Sequence, residues 1–224
     1  MTLSYVVLAL AIAGGWTERA ASPRFDVRVS IHARCAPGQV RDDCPRTLVA
    51  DVLPRGGARP QRLRGAFPEA ARDVARPDVL RVADLDFDGF DDLALCTGRD
   101  ALGGAPSYTV YRYRPARGRF EVDRALGALQ ARSSGFFDVD RARRRLRLEA
   151  HGGSGRTTAE YGWHRDRPLR LREATVDASD GRRVRLVLGE RIGGHWRERR
   201  WTRALDADWP AAFVAAEAAM RRGH

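Results

Sequence analysis

The sequence contains no lysine. All 40 basic residues are arginines, and against 29 aspartates and glutamates they leave a net charge of +11. A surface selected for binding phosphate ordinarily draws on both basic residue types. Uniform arginine, together with abundant alanine and glycine, points instead to a compositional bias of the coding sequence. The charge alone therefore gives no ground for a nucleic-acid partner, and none is expected. Long apolar runs are also missing. The stretch Tyr5–Ala13 is too short to span a bilayer, so a membrane-spanning chain is excluded. Cysteine is scarce, at three residues, with no CxxC pair to suggest a zinc site. The five histidines (His32, His151, His164, His195 and His224) are scattered. Neither an HExxH nor a Gly-x-Ser-x-Gly motif occurs. Gly152-Gly-Ser-Gly155 has no lysine and opens no helix, which argues against a phosphate cradle. Without such chemistry the chain is not expected to be an enzyme.

What is present describes an ordinary globular chain: 224 residues, 43% hydrophobic and 31% charged. That length suits one substantial domain or two small ones. The first 22 residues admit two readings. Tyr5–Ala13 followed by Ala13-Gly14-Gly15 has the length and small residues of a secretory signal, although the first arginine, Arg19, comes only after the apolar run. The other reading is a buried first strand or helix. A signal peptide with a flexible start is the expectation for 1–22, placing the protein in the periplasm or outside the cell. Trp16 stands where a lipoprotein would carry its anchoring cysteine. Cys35 and Cys44, nine positions apart in a loop-like stretch, are candidates for a disulfide in an oxidising compartment. Cys96, after Leu93-Ala-Leu95, reads as a small buried hydrophobe.

Residues 23–204 read as β-structure. Phe25, Val27, Val29 and Ile31 alternate with polar residues, the pattern of a half-buried strand. Further strands are predicted over Thr47–Leu53, Val79–Val82, Tyr108–Arg114, Phe120–Val122, Gly135–Val139, Leu146–Ala150, Tyr161–Trp163, Leu169–Arg172 and Val184–Leu188. Asp180-Gly181 marks a tight turn. Glu69–Ala75 could form one or two helical turns. Tyr111-Arg-Tyr113 through Phe120 is weakly repeated by Tyr161-Gly-Trp163 through Leu169, as successive hairpins of a propeller would be. Residues 205–224 are alanine-rich, with Asp208 as N-cap, Pro210 in the first turn and Phe213, Ala216 and Met220 on one stripe. They are expected to form a C-terminal helix docked on the β domain. The arginine runs 141–147 and 197–203 are read as solvated strand faces.

The one strong local signal is Asp84-Leu-Asp86-Phe-Asp88-Gly89-Phe-Asp91-Asp92. Carboxylates at positions 1, 3, 5 and 9 with glycine at position 6 match the start of an EF-hand-type calcium loop. Calcium is a hard cation that takes six to eight oxygens, so alternate side chains must converge while the backbone wraps around the ion. Position 12 is Leu95 rather than a bidentate glutamate. The expected ligands are therefore Asp84, Asp86, Asp88, the Phe90 carbonyl and Asp92, with calcium in a structural role.

That loop resembles the calcium loops of FG-GAP and integrin-type propeller repeats. The longer order is more particular: the loop, then Ser107-Tyr-Thr-Val-Tyr-Arg-Tyr, Phe120, Phe136-Phe-Asp-Val-Asp140, Gly152-Gly-Ser-Gly155 and Tyr161-Gly-Trp163. Over roughly residues 79–172 it is similar to bacterial periplasmic proteins with an incomplete β-propeller fold. Characterised members of that family are immunity proteins that inhibit peptidoglycan-hydrolase effectors of an antibacterial type IV secretion system. The resemblance implies an all-β, incomplete β-propeller-like array of antiparallel hairpins with one calcium loop. It also implies a monomer that acts by binding a protein, namely a lysozyme-like cell-wall hydrolase. The first 78 residues carry no match. If that role holds, His151, Arg156 and Tyr161, on a glycine-rich loop, are the candidate contact surface. An adhesive or carbohydrate-binding envelope module is the main rival, and a hydrolase with converging carboxylates the second.

Overall fold

The computed structural model describes residues 13–18, 21–33, 35–38, 40, 44, 46–57, 59–67, 76–99, 104–204, 211 and 214. The helical turns expected at 69–75 and the C-terminal helix over 205–224 fall outside or almost outside them. The described residues are mostly β, in three antiparallel sheets. Each sheet is a meander whose strands follow sequence order. The first joins β1 (Ala13–Glu18), β2 (Phe25–Ala33), β3 (Arg46–Pro54) and β4 (Gln61–Phe67). A short helical turn, α1 (Arg76–Val79), leads into the second: β5 (Leu80–Ala83), β6 (Asp92–Arg99), β7 (Pro106–Arg114) and β8 (Arg119–Val122). A seven-residue helix, α2 (Arg124–Gln130), precedes the third and largest sheet. Its six strands are β9 (Asp138–Asp140), β10 (Arg145–Gly152), β11 (Gly155–His164), β12 (Arg167–Asp177), β13 (Arg183–Ile192) and β14 (His195–Ala204).

By chain contacts the molecule divides into two units. One comprises residues 1–82, 91–98 and 108–122; the other comprises 83–90, 99–107 and 123–224.

The first unit is built on alternation. Val27 and Val29 of β2 and Leu48, Ala50 and Val52 of β3 are buried, while Arg28 between them is exposed. The register pairs Val27 with Val52 and Val29 with Ala50, so both strands present the same face. β6 departs from alternation: Asp92 through Cys96 are all buried, as expected of a strand covered on both faces. Phe120 of β8 meets Phe25 edge-on, with ring centroids 5.4 Å apart. Gln61 clamps the same residue by donating to its carbonyl and accepting its amide, each at 2.8 Å. β1 pairs with β2 from Ala13↔His32 to Glu18↔Val27, so part of the segment expected to be a leader lies in a sheet. Cys35 and Cys44 are joined in a disulfide, with Cα atoms 4.8 Å apart, and Cys96 is a buried free thiol.

In the second unit the large sheet carries a core on each face. Leu146 and Leu148 of β10 stand opposite Tyr161 and Ala159 of β11, all buried. The other face carries Val176, Val184 and Leu186, with Ala178 packed against them. Helix α2 starts where the Asp123 carboxylate accepts the amides of Ala125 and Leu126 at 3.0 and 2.9 Å. That cap satisfies two of the donors every helix start leaves over. No described helix is long and apolar enough to cross a membrane.

Candidate metal centre

The acidic loop lies between β5 and β6, and residues 83–90 of it belong to the second unit. Its alternation sorts it into two sides. Leu85 and Phe87 are buried, while Asp84 and Asp86 are half-exposed and Asp88 is exposed. One oxygen from each of Asp84, Asp86 and Asp88 lies within 4.8 Å of the others. The backbone turns tightly enough for this because Phe87 and Gly89 both adopt left-handed conformations, at φ 61° and 91°. Glycine reaches that region without a steric penalty. Asp84 accepts the amides of Asp88 at 3.1 Å and Gly89 at 2.9 Å. Asp86 accepts the Asp88 amide at 3.1 Å, and Asp88 accepts that of Phe90 at 2.8 Å.

Two side chains from the large sheet hold the loop by its carbonyls. Trp163 of β11 donates its indole N–H to the Leu85 oxygen at 2.7 Å. Arg144, in the turn before β10, donates to the Phe87 oxygen at 2.5 Å, and its guanidinium lies 5.8 Å from the Phe87 ring centre. These bonds anchor the loop at the backbone of its two buried apolar positions, Leu85 and Phe87. An open cleft of about 260 Å³ is lined by Asp84, Phe87, Asp88, Gly89, Arg141 and Arg144. The donor set is oxygen only and carries three carboxylates, which suits a hard cation. The Asp84–Asp86–Asp88 cluster could hold a metal ion.

Of the remaining expected ligands, Asp92 has another partner. Asp92 opens β6, is 1% exposed, and accepts the Tyr113 amide through Oδ1 at 2.8 Å. The three-carboxylate group does not include it. Asp91 accepts the Ser22 hydroxyl at 2.6 Å. Phe90 follows the cluster directly, and its amide is already held by Asp88.

The expected contact loop at 151–161 is not a loop. β10 runs to Gly152 and β11 begins at Gly155, paired across a tight turn in which Gly153 takes φ 53°. The run Thr157–Glu160 hid the strand, because its one apolar residue, Ala159, makes no alternation. His151 is exposed and Arg156 half-buried, and both lie beside Glu149, at 3.7 and 3.0 Å. Tyr161 is only 5% exposed, and burial raises its phenol pKa above the ordinary value. It is a core residue, unavailable to a partner. Sequence reasoning missed Arg144 and Trp163, which lie 57 and 78 positions from the carbonyls they hold.

No protein-family model matches the sequence, and no curated protein matches it significantly. Among solved structures, the chain is similar to a Xanthomonas type IV secretion system related protein, with a TM-score of 0.58. The likeness spans 88% of this chain and 96% of that one at 17% sequence identity, and so is a likeness of fold.

Proposed function

We propose that this chain is an exported, calcium-binding protein that acts by binding another protein, as an immunity protein inhibiting a secreted lysozyme-like cell-wall hydrolase. The observation that carries this reading is the fold shared, nearly end to end, with a type IV secretion system related protein. Three consecutive antiparallel meanders are the sheet units an incomplete propeller would use as blades. The Cys35–Cys44 disulfide suits the periplasm or the extracellular space. Calcium is the cation that best fits a loop of three converging aspartates with a glycine at the turn. Its role is to neutralise carboxylates that would otherwise repel one another and to fix the loop on Trp163 and Arg144. The protein works as a monomer and without catalysis of its own.

Calorimetric titration of EDTA-treated protein tests the metal. Calcium at a hundred times its Kd should stabilise the fold by about 2.7 kcal/mol, and Asp86→Ala should abolish both the heat and the shift. Absence of heat in the wild type rules calcium out. A peptidoglycan-lysis assay with lysozyme-like cell-wall hydrolases tests the inhibition, and undiminished lysis at saturating protein overturns the immunity reading. Exposed Trp201 favours the second reading, a carbohydrate-binding envelope module. Retention on insoluble peptidoglycan, lost in Trp201→Ala, would support that module instead.

A further inference from the structure

β14 is the outer strand of the six-stranded sheet, and among the described residues nothing pairs with its outer edge. It runs ten residues in unbroken register with β13, from Ile192↔His195 to Arg183↔Ala204. Nine of its ten residues are exposed, and Trp196 is half-buried. Such an edge is a ready template for another strand.

Its side chains say which strand. On one face Trp201 stands opposite Leu186, flanked by Arg199 opposite Leu188 and Arg203 opposite Val184. Val184 and Leu186 belong to the buried apolar cluster, so the apolar surface of β12 and β13 runs out onto a 41% exposed Trp201 edged by two arginines. The Arg199 guanidinium lies 5.8 Å from the Trp201 ring centre. On the other face, Trp196 lies across Gly189 beneath Arg170, 4.0 Å from its ring centre. The one acid of the strand, Glu198, is engaged within the strand by Trp196 at 3.0 Å and Arg200 at 2.7 Å. Four arginines against one internally engaged glutamate make this edge strongly cationic.

We infer that the β14 edge is a docking site for an acidic segment of a partner protein, which adds in extended form as a seventh strand. Main-chain hydrogen bonds supply the affinity and the arginines the selection. The same charge works against a second copy of this chain, since each of two β14 strands side by side would bring four arginines and one glutamate to the pair. The inference rests on the protein-binding reading above and gives that reading a surface.

The probe is a capped ten-residue peptide of alternating threonine and glutamate, titrated against the full chain at low ionic strength and followed by tryptophan fluorescence and by amide exchange along β14. Binding should protect β14 amides. It should weaken about tenfold or more in Arg199→Glu/Arg203→Glu, and as much when alternate peptide amides are N-methylated, because edge pairing needs those donors. The charge-matched control Arg28→Glu/Arg124→Glu, at exposed sites elsewhere, should bind as the wild type does. Equal binding of the methylated peptide, or equal loss in the control, reduces the effect to net charge and overturns the inference. Tighter binding of a heparin oligosaccharide to the same edge reassigns it to an anionic polymer. Binding that appears only when residues 205–224 are removed reassigns it to the chain's own terminus. No hydrolase enters this assay, so a failed edge leaves the inhibition test standing, and a failed inhibition test leaves the edge result standing.

Discussion

β6 and β14 are both regular strands of eight and ten residues, and they share almost nothing else. β6 is buried along nearly its whole length by Leu93, Ala94, Leu95 and Cys96, whereas β14 is exposed at every position but Trp196 and held through its register with β13. Each carries one carboxylate. Asp92 in β6 is consumed by a backbone amide of the neighbouring strand, and Glu198 in β14 by side chains of its own strand. One strand is made to hold the fold, and the other leaves its chemistry facing outward. A strand that gives little burial in return for its ordering is where a surface function belongs.

Truncating the two strands should separate them most sharply. Leu95→Ala removes a fully buried side chain and should cost about 2–5 kcal/mol in urea unfolding. Trp201→Ala, at a 41% exposed site, should cost less, about 1–2 kcal/mol, despite removing a larger group. Comparable losses at both sites would show that β14 is covered in solution. The carboxylates give the next contrast. Asp92→Ala leaves the Tyr113 amide without its acceptor and should cost about 1–3 kcal/mol in the same measurement. The smallest effect belongs to Glu198. Its pKa is held below the ordinary glutamate value by hydrogen bonds from Trp196 first and Arg200 second. A lowered carboxylate pKa adds stability that is fully present above the ordinary range and disappears as pH falls through the lowered value. The difference in melting temperature between wild type and Glu198→Gln should therefore be slight at neutral pH and vanish in acid. A gap that widens in acid would contradict the hydrogen-bonded carboxylate.

The contrast also explains what could be read from the sequence. β2 announces itself because Phe25, Val27 and Val29 fall at every second position and land on one buried face, and the β7–β8 hairpin because its two strands flank the turn at Pro115–Gly118. β14 has no such alternation; its 197–203 run reads as a solvated face, and the structure makes it an exposed part of a ten-residue strand. Helix α2 escaped notice because its buried stripe rests on two leucines, Leu126 and Leu129, and its start on the Asp123 cap. Arg112 shows the limit of composition: it is 0% exposed in β7, a burial of which the residue type gives no sign. In the acidic loop, Asp84, Asp86, Asp88 and Gly89 were legible because loop chemistry is local. The two side chains that grip it, and the diversion of Asp92 to Tyr113, come from distant residues and leave no trace in local spacing.

The strictly sequential order of the six-stranded sheet has a kinetic consequence. Each of its strands finds its partner across a short turn, so little loop entropy is lost before a pairing forms. Among the hydrogen bonds of the described residues, other closures span far more of the chain: Gln61 to Phe120 across 59 residues, Ser22 to Asp91 across 69, and Trp163 to Leu85 across 78. Low contact order favours rapid folding. The hairpins of β10 to β14 are thus built to zip up early, and the acidic loop can be seized by Trp163 only after the strand carrying that indole already exists.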